Sequence, residues 1–456
     1  MAEVAVSFRP TPAAVKASVA RDDSRAIFPG RIVSGLGKAT EVKFLLKPPI
    51  GLLVIAVFLG AATLFYSGHE GSLQMRGAEI EAFLAQHWAY PLLPQGTPPS
   101  TYSEVEASLD ARKCGQCHQQ QFQDWSRSLH SHAMGPGILW QFSLMGQADA
   151  NDCMRCHAPL AEQKGLMALE HGWDAAPARQ RPAYVPEDLA YQGVTCAACH
   201  VRNHRRYGPP TRTQAGQAAP APHAGFVESL AFGDSRFCAT CHQFPDDGPK
   251  VNGKLREDTY RQWLTSEWAE KGITCQSCHM PDRRHHWRGI HSAEMVNQAL
   301  AIDLDVRVKG MQAVAAATLK NVGAGHHFPT YLVPKVTATL ELVGLDGKRQ
   351  VLKREVIGWQ VDVNLSQEHF DTRVPPGGEL LIESMFPLPS TTGWRVDLHI
   401  DVAPREHYER MYQVMLAKDV DMKQQAQEQL KTAFAEARAS RFRARTLSAP
   451  VIVVQD

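Results

Sequence analysis

All ten cysteines of the chain fall into five pairs of one form: CGQCH (Cys114, Cys117, His118), CMRCH (Cys153, Cys156, His157), CAACH (Cys196, Cys199, His200), CATCH (Cys238, Cys241, His242) and CQSCH (Cys275, Cys278, His279). C-x-x-C-H is the attachment form of a c-type haem: the two thiols add to the vinyl groups and the next residue supplies the proximal iron ligand. Two intervening residues span the vinyl positions on one porphyrin edge, and the histidine then turns under the ring. A lone C-x-x-C could equally be half of a zinc site or a dithiol redox motif. Zinc does not call for a histidine after every second cysteine, and a thioredoxin-like motif occurs once rather than five times. The reading is five covalently bound haem c groups, with no thiol left over for a disulfide.

Twenty histidines accompany the ten cysteines. Five are proximal by motif, and an electron-carrying haem usually takes a second axial ligand, so the excess suits bis-histidine iron of low potential. A methionine ligand, for which Met134 and Met154 are candidates, would raise the potential instead. The chain has 456 residues, 48 Lys and Arg against 47 Asp and Glu, and 44% hydrophobic residues. So even a charge argues against phosphate-driven nucleic-acid binding, and the composition is that of a folded protein.

The first cysteines of the motifs stand at 114, 153, 196, 238 and 275, a loose repeat of short helix and loop rather than a solenoid. With about 33 residues of protein per motif, the haems themselves must form much of the core. The expected architecture is a mostly α-helical and irregular multihaem domain at 105–298. An antiparallel β-sandwich follows at 299–403, with a C-terminal helix and tail at 404–456. The alternating segments 303–308, 336–342, 350–356, 379–384 and 394–400 read as its strands. Strong helix formers from Arg405 to Arg438 read as one helix, its end made basic by Arg438, Arg441, Arg443 and Arg445. Residues 214–223 read as a surface loop.

Upstream, residues 48–66 carry no charge and are long enough to cross a bilayer core, so 44–66 reads as a transmembrane anchor. Eight basic residues (Arg9, Lys16, Arg21, Arg25, Arg31, Lys38, Lys43, Lys47) precede it. They place a cytoplasmic tail at 1–43 and the haem domain outside a bacterial inner membrane, with a neck at 67–104. A cleaved signal peptide is the rival reading, with an unusually long charged region.

The stretch CGQCHQQQFQDWSRSLHSHAM resembles the CxxCH…W-x-x-S-x-H pattern of the cytochrome c-554-like multihaem family. The pattern falls on Trp125, Ser128 and His130, and CQSCHMPDRRHHWRGIH and NVGAGHHFPT resemble segments of related cytochromes. The resemblance implies distal iron ligation by His130, by His286 or His291, and by His326, with His132 and His327 as the adjacent alternatives. For the remaining haems His223 is the choice, with His204 and His171 in reserve. His69, His87, His369, His399 and His407 read as ordinary surface or core residues.

The leading functional expectation is a membrane-anchored pentahaem electron carrier, fed by redox partner proteins or a quinone-linked complex. The alternative is a reductase of a nitrogen species (nitrite, hydroxylamine, nitric oxide) or a sulfur species at one open haem. Arg205, Arg206, Arg283, Arg284 and His285 would be nearby, although no residue is assigned as catalytic. A third expectation makes the chain a subunit of a larger electron-transfer complex.

Overall fold

The computed structural model describes residues 75–452 apart from 175, 178–179, 212–221, 390 and 419. The chain divides into two compact units, 1–79 and 80–456, and nearly all that is described belongs to the second. A helix covers residues 75–87. Beyond it Leu92 enters a core with Leu109, Leu160, Leu189 and Val201, and buried Gln95 donates its backbone N–H to Glu162.

Every C-x-x-C-H lies on or at the end of a short helix. Gln147–His157, Cys196–His200, Arg236–His242 and Cys275–His279 all end on the motif histidine, and Ala111–Cys114 begins the first motif. The reason is local. Residues i, i+3 and i+4 of a helix share one face, so a single turn presents both thiols and the imidazole together.

From Leu300 the period changes to two. Seven strands form the sandwich: β1 (Leu300–Lys309), β2 (Gln312–Asn321), β3 (Lys335–Val343), β4 (Arg349–Ile357), β5 (Glu379–Pro387), β6 (Arg395–Ala403) and β7 (Phe442–Pro450). One antiparallel sheet has the order β5-β2-β1 and the other β7-β6-β3-β4. Register puts Leu398 opposite Leu340 on one side and Leu447 on the other. Alternate residues (Ala313, Ala315, Ala317 and Leu319 of β2, Val336, Ala338 and Leu340 of β3, Val396, Leu398 and Ile400 of β6) fill the space between the sheets. Two helices, α1 (Glu406–Ala417) and α2 (Gln424–Ala439), intervene between β6 and β7. Tyr412 of α1 and Ala426, Leu430, Ala433 and Ala437 of α2 close over Trp140 in the motif region.

Three expectations are corrected here. The described chain is not helix-dominated: the sandwich, expected at 299–403, holds its largest core, and the expected membrane helix is not seen in it. Among the described residues no helix is long and apolar enough to cross a membrane. The segment expected to do so, 44–66, lies outside the described residues, so the transmembrane anchor and the inner-membrane location are withdrawn. The C-terminal helix is two helices broken between Ala417 and Gln424, and the basic run Arg441–Arg445 is not a helix end. Arg443 and Arg445 lie on β7, where Arg443 pairs with Asp401 on the neighbouring strand.

Leu340 is fully buried between the sheets. Leu340→Ala is expected to cost about 2–5 kcal/mol through lost burial and a residual cavity. Denaturant unfolding followed by far-ultraviolet circular dichroism measures it, and a loss below about 1 kcal/mol would count against this core.

Candidate haem centres

An imidazole bound to a metal through Nε2 must carry its proton on Nδ1, and the partner of that N–H identifies the tautomer. A carbonyl can only accept, so each Nδ1 that meets one is the donor and leaves an Nε2 lone pair free. Three motif histidines meet this condition. His157 donates to Ala133 O at 2.8 Å, His200 to Tyr207 O at 2.7 Å and His279 to Arg288 O at 2.6 Å. Five other histidines do the same: His285 to Arg283 O (2.9 Å), His326 to His327 O (2.9 Å), His223 to Gly225 O (2.9 Å), His132 to Ser128 O (2.8 Å) and His171 to Met167 O (3.2 Å).

These histidines come together in pairs. A metal–imidazole bond of about 2.0–2.1 Å on each side places two sandwiching ring centres roughly 6 Å apart. His242 and His130 are 6.3 Å apart, His200 and His285 6.2 Å, and His279 and His326 6.3 Å, with interplanar angles of 48°, 36° and 12°. His118 has its pKa lowered foremost by burial and then by the nearby His223. Burial holds the rings neutral: His130 falls to about 3, and His200 and His326 to about 4. The imidazole of His157 is exposed by surface area, yet burial is the first cause of its lowered pKa. Both hold if that surface faces an internal void, the kind of space a prosthetic group takes. The residues therefore fit haem c on chemistry and spacing.

The thiols link the motifs. Cys114 contacts Cys196, Cys156 contacts Cys241, and Cys238 contacts Cys275, all as free thiols. Tethers of the first and third, second and fourth, and fourth and fifth motifs thus meet edge to edge. The fourth motif is the junction.

Each non-motif imidazole is placed by contacts distant in sequence. The Trp125 indole donates to Val194 O (2.8 Å), Val194 N–H to His130 O (2.8 Å), and Ser128 Oγ to Trp125 O (2.7 Å). Gly193, at φ +59°, lies so close that an added Cβ would sit 2.3 Å from His130 O. Buried Asn321 donates to His326 O and Val374 O and accepts from Ala324 N–H, which shapes the β2–β3 loop. The capping box of Glu104–Ala107 reaches His223, because Glu106 accepts the His223 N–H at 2.7 Å. Asp124, 5% exposed, takes both Arg284 nitrogens at 2.7 Å and the His285 N–H at 3.1 Å.

His130 and His326 each pair with a motif imidazole, and His223 lies beside His118. His286 and His291 do not. His286 Nδ1 turns to Asp124 at 3.5 Å, while neither its ring nor that of His291 stacks on a motif imidazole. The ring facing His200 is His285, which sequence reasoning passed over as an acid–base candidate. The two-residue turn Asp282–Arg283, at φ +53° and +61°, decides which of the adjacent histidines points inward, and no periodicity signals it. Of the reserves, His204 spends Nε2 on Gly96 O, while His171 bonds Met167 O through Nδ1 and its ring stacks on Trp173 at 4.6 Å rather than on a motif imidazole. His132 Nδ1 donates to Ser128 O, and His327 faces no motif imidazole. Arg206 and Arg283 hold backbone carbonyls, and Arg284 holds Asp124, so these three serve structure.

No family model matches the chain, and no curated protein does. Among solved structures it is similar to a penta-heme cytochrome c552 from Thermochromatium tepidum, at 16% identity and TM-score 0.51, over 76% of this chain and 100% of that one. A match to beta-glucosidase 3B from Thermotoga neapolitana covers 24% of this chain and 14% of that one, at 12% identity and TM-score 0.13, and carries no argument. The first likeness establishes a multihaem cytochrome c fold. Membership of the c-554-like family is not established by it.

The Asp124 carboxyl is held below its ordinary value of 3.8, foremost by the Arg284 hydrogen bonds. Its contribution to stability is therefore present above 3.8 and lost as the pH falls through the depressed value. Asp124→Ala is expected to lower the melting temperature at pH 7, with the gap to the unaltered protein narrowing toward pH 3. A gap of constant width across that range would contradict the assignment.

Proposed function

We propose that the protein is a multihaem c-type cytochrome that passes electrons between redox partner proteins along five covalently held haems. The observation that carries this reading is the set of three imidazole pairs at 6.2–6.3 Å, each joining a C-x-x-C-H histidine to one from a distant segment. Haem c, when attached, supplies the iron that gains and loses the electron. The chain's residues do the rest. Ten thiols would tether the porphyrin edges at Cys114 and Cys117, Cys153 and Cys156, Cys196 and Cys199, Cys238 and Cys241, and Cys275 and Cys278. His118, His157, His200, His242 and His279 would offer Nε2 from the proximal side, and His223, His285, His130 and His326 from the distal side of all but the second.

Two donor nitrogens on an iron favour low-spin states and low potential, and carbonyls that accept from Nδ1 make the imidazoles better donors. The thiol contacts between motifs support haem edges close enough for relay, with the fourth motif meeting the second and the fifth, and the third meeting the first. The β2–β3 loop would shield the fifth haem from water with His326.

A second reading is favoured at one place. Among the described residues neither His157 nor His118 has an imidazole ring paired with it as His200, His242 and His279 have, and only His118 has an unpaired histidine, His223, as its electrostatic neighbour. Met134 does not substitute, because it follows Ala133, whose carbonyl binds the proximal Nδ1, and it is packed among Phe142, Met154 and Met167. An open position there suits binding, and reduction, of a small nitrogen or sulfur species fed by the other haems.

Electron paramagnetic resonance of the purified protein tests the assignment. His285→Ala and His326→Ala are each expected to convert one low-spin haem to high spin, whereas His286→Ala leaves the low-spin signals unchanged. High-spin conversion by His286→Ala and none by His285→Ala would reverse the pairing. Carbon monoxide added to the reduced protein is expected to shift about one fifth of the Soret absorbance, and no shift would discard the second reading.

A further inference from the structure

Trp287 touches two ligand pairs at once. Its indole packs edge-on against His130 at 4.6 Å and 69°, and against His285 at 5.0 Å and 85°. The Trp287 backbone N–H donates to His279 O at 3.1 Å, so the backbone is fixed to a third motif. The residue sits at φ +44°, a conformation that an L residue other than glycine holds only when its surroundings over-determine it.

The two imidazoles depend on this contact unequally. His285, His326 and His223 are each oriented by an Nδ1–H bond to a carbonyl. The His130 ring has no hydrogen bond to any described residue, and its ring contacts are His242 and Trp287. An imidazole on iron is otherwise free to turn about the metal–nitrogen axis. The angle between the two axial rings sets the splitting of the iron orbitals, and with it the low-spin resonance positions. An edge-to-face ring contact resists that rotation by about 0.5–1.5 kcal/mol, enough to favour one orientation over another at room temperature.

Resting on the multihaem reading, we propose that Trp287 is a positioning residue that holds the His130 ring at its 48° angle to His242 and, through the same indole, ties the ligand geometry of the fourth haem to that of the third. It takes the place of the carbonyl that orients the other distal rings. Bulk alone is not enough, because leucine at 287 would fill space without presenting an aromatic edge.

The test is electron paramagnetic resonance of the whole protein as Trp287→Leu, Trp287→Phe and His130→Ala. The His130→Ala spectrum marks the signal of the fourth haem by its loss. In Trp287→Leu that signal is expected to move, with the His285-linked signal moving less, while haem content and low-spin character are kept. Trp287→Phe restores the original position because an aromatic edge is present again. A fourth-haem signal unmoved in Trp287→Leu, or moved equally in Trp287→Phe, overturns the proposal. If Trp287→Leu fails to accumulate, Trp287→Phe against Trp287→Met decides on the same criterion. Absence of low-spin haem in the unaltered protein would instead defeat the multihaem reading itself.

Discussion

A buried neutral imidazole has one proton and one free lone pair, and where the proton goes decides where the lone pair points. That constraint organises the motif region. Eight histidines spend Nδ1–H on a backbone carbonyl and so keep Nε2 available, and four of them, His200, His285, His279 and His326, stand 6.2–6.3 Å from a partner imidazole. Histidines that spend Nε2 differently, such as His87 on Cys199 O and His204 on Gly96 O, become structural groups instead. Ring pairing with a motif imidazole is the second criterion, since His132 and His171 make the same Nδ1 bond without such a pair.

Supplying those carbonyls and distal rings draws on nearly the whole described chain. The loop after β2 delivers His326, the turn before residue 288 delivers His285, and the segment bound through Trp125 and Val194 delivers His130. The sandwich has a dry core of its own, built from β2, β3 and β6, and acts as the rigid base from which the His326 loop projects. Helices α1 and α2 fasten the other side by packing on Trp140. The motif region has smaller clusters and more accessible internal surface, as expected if prosthetic groups supply much of its packing.

The tethers and proximal ligands were legible because covalent chemistry imposes a spacing within one helical turn. The motifs around His130 and His326 pointed to both, and each ring pairs with a motif imidazole. His285 was not, since its choice over His286 rests on Asp124, distant in sequence and bound to the His285 N–H, and on two residues at positive φ. Strand β2 escaped notice because its inward residues are mostly alanine and its outward ones include Val314 and Ala316, which blurs the alternation. The basic run 441–445 looked like a helix end, but Asp401 on β6 offers Arg443 a cross-strand partner, a contact invisible from local charge. Strands β1, β3 and β6 were legible because DLDVRV, VTATLEL and WRVDLHI alternate, and β4 and β5 by their position between turns rather than by a period of two.

The central claim is that every thiol is a haem tether. Mass spectrometry of the intact protein, denatured and treated with a thiol alkylator, addresses it directly. Five haem additions and no alkylated cysteine are the expected result. Fewer than five additions, with alkylated thiols at any of the five motifs, would contradict it.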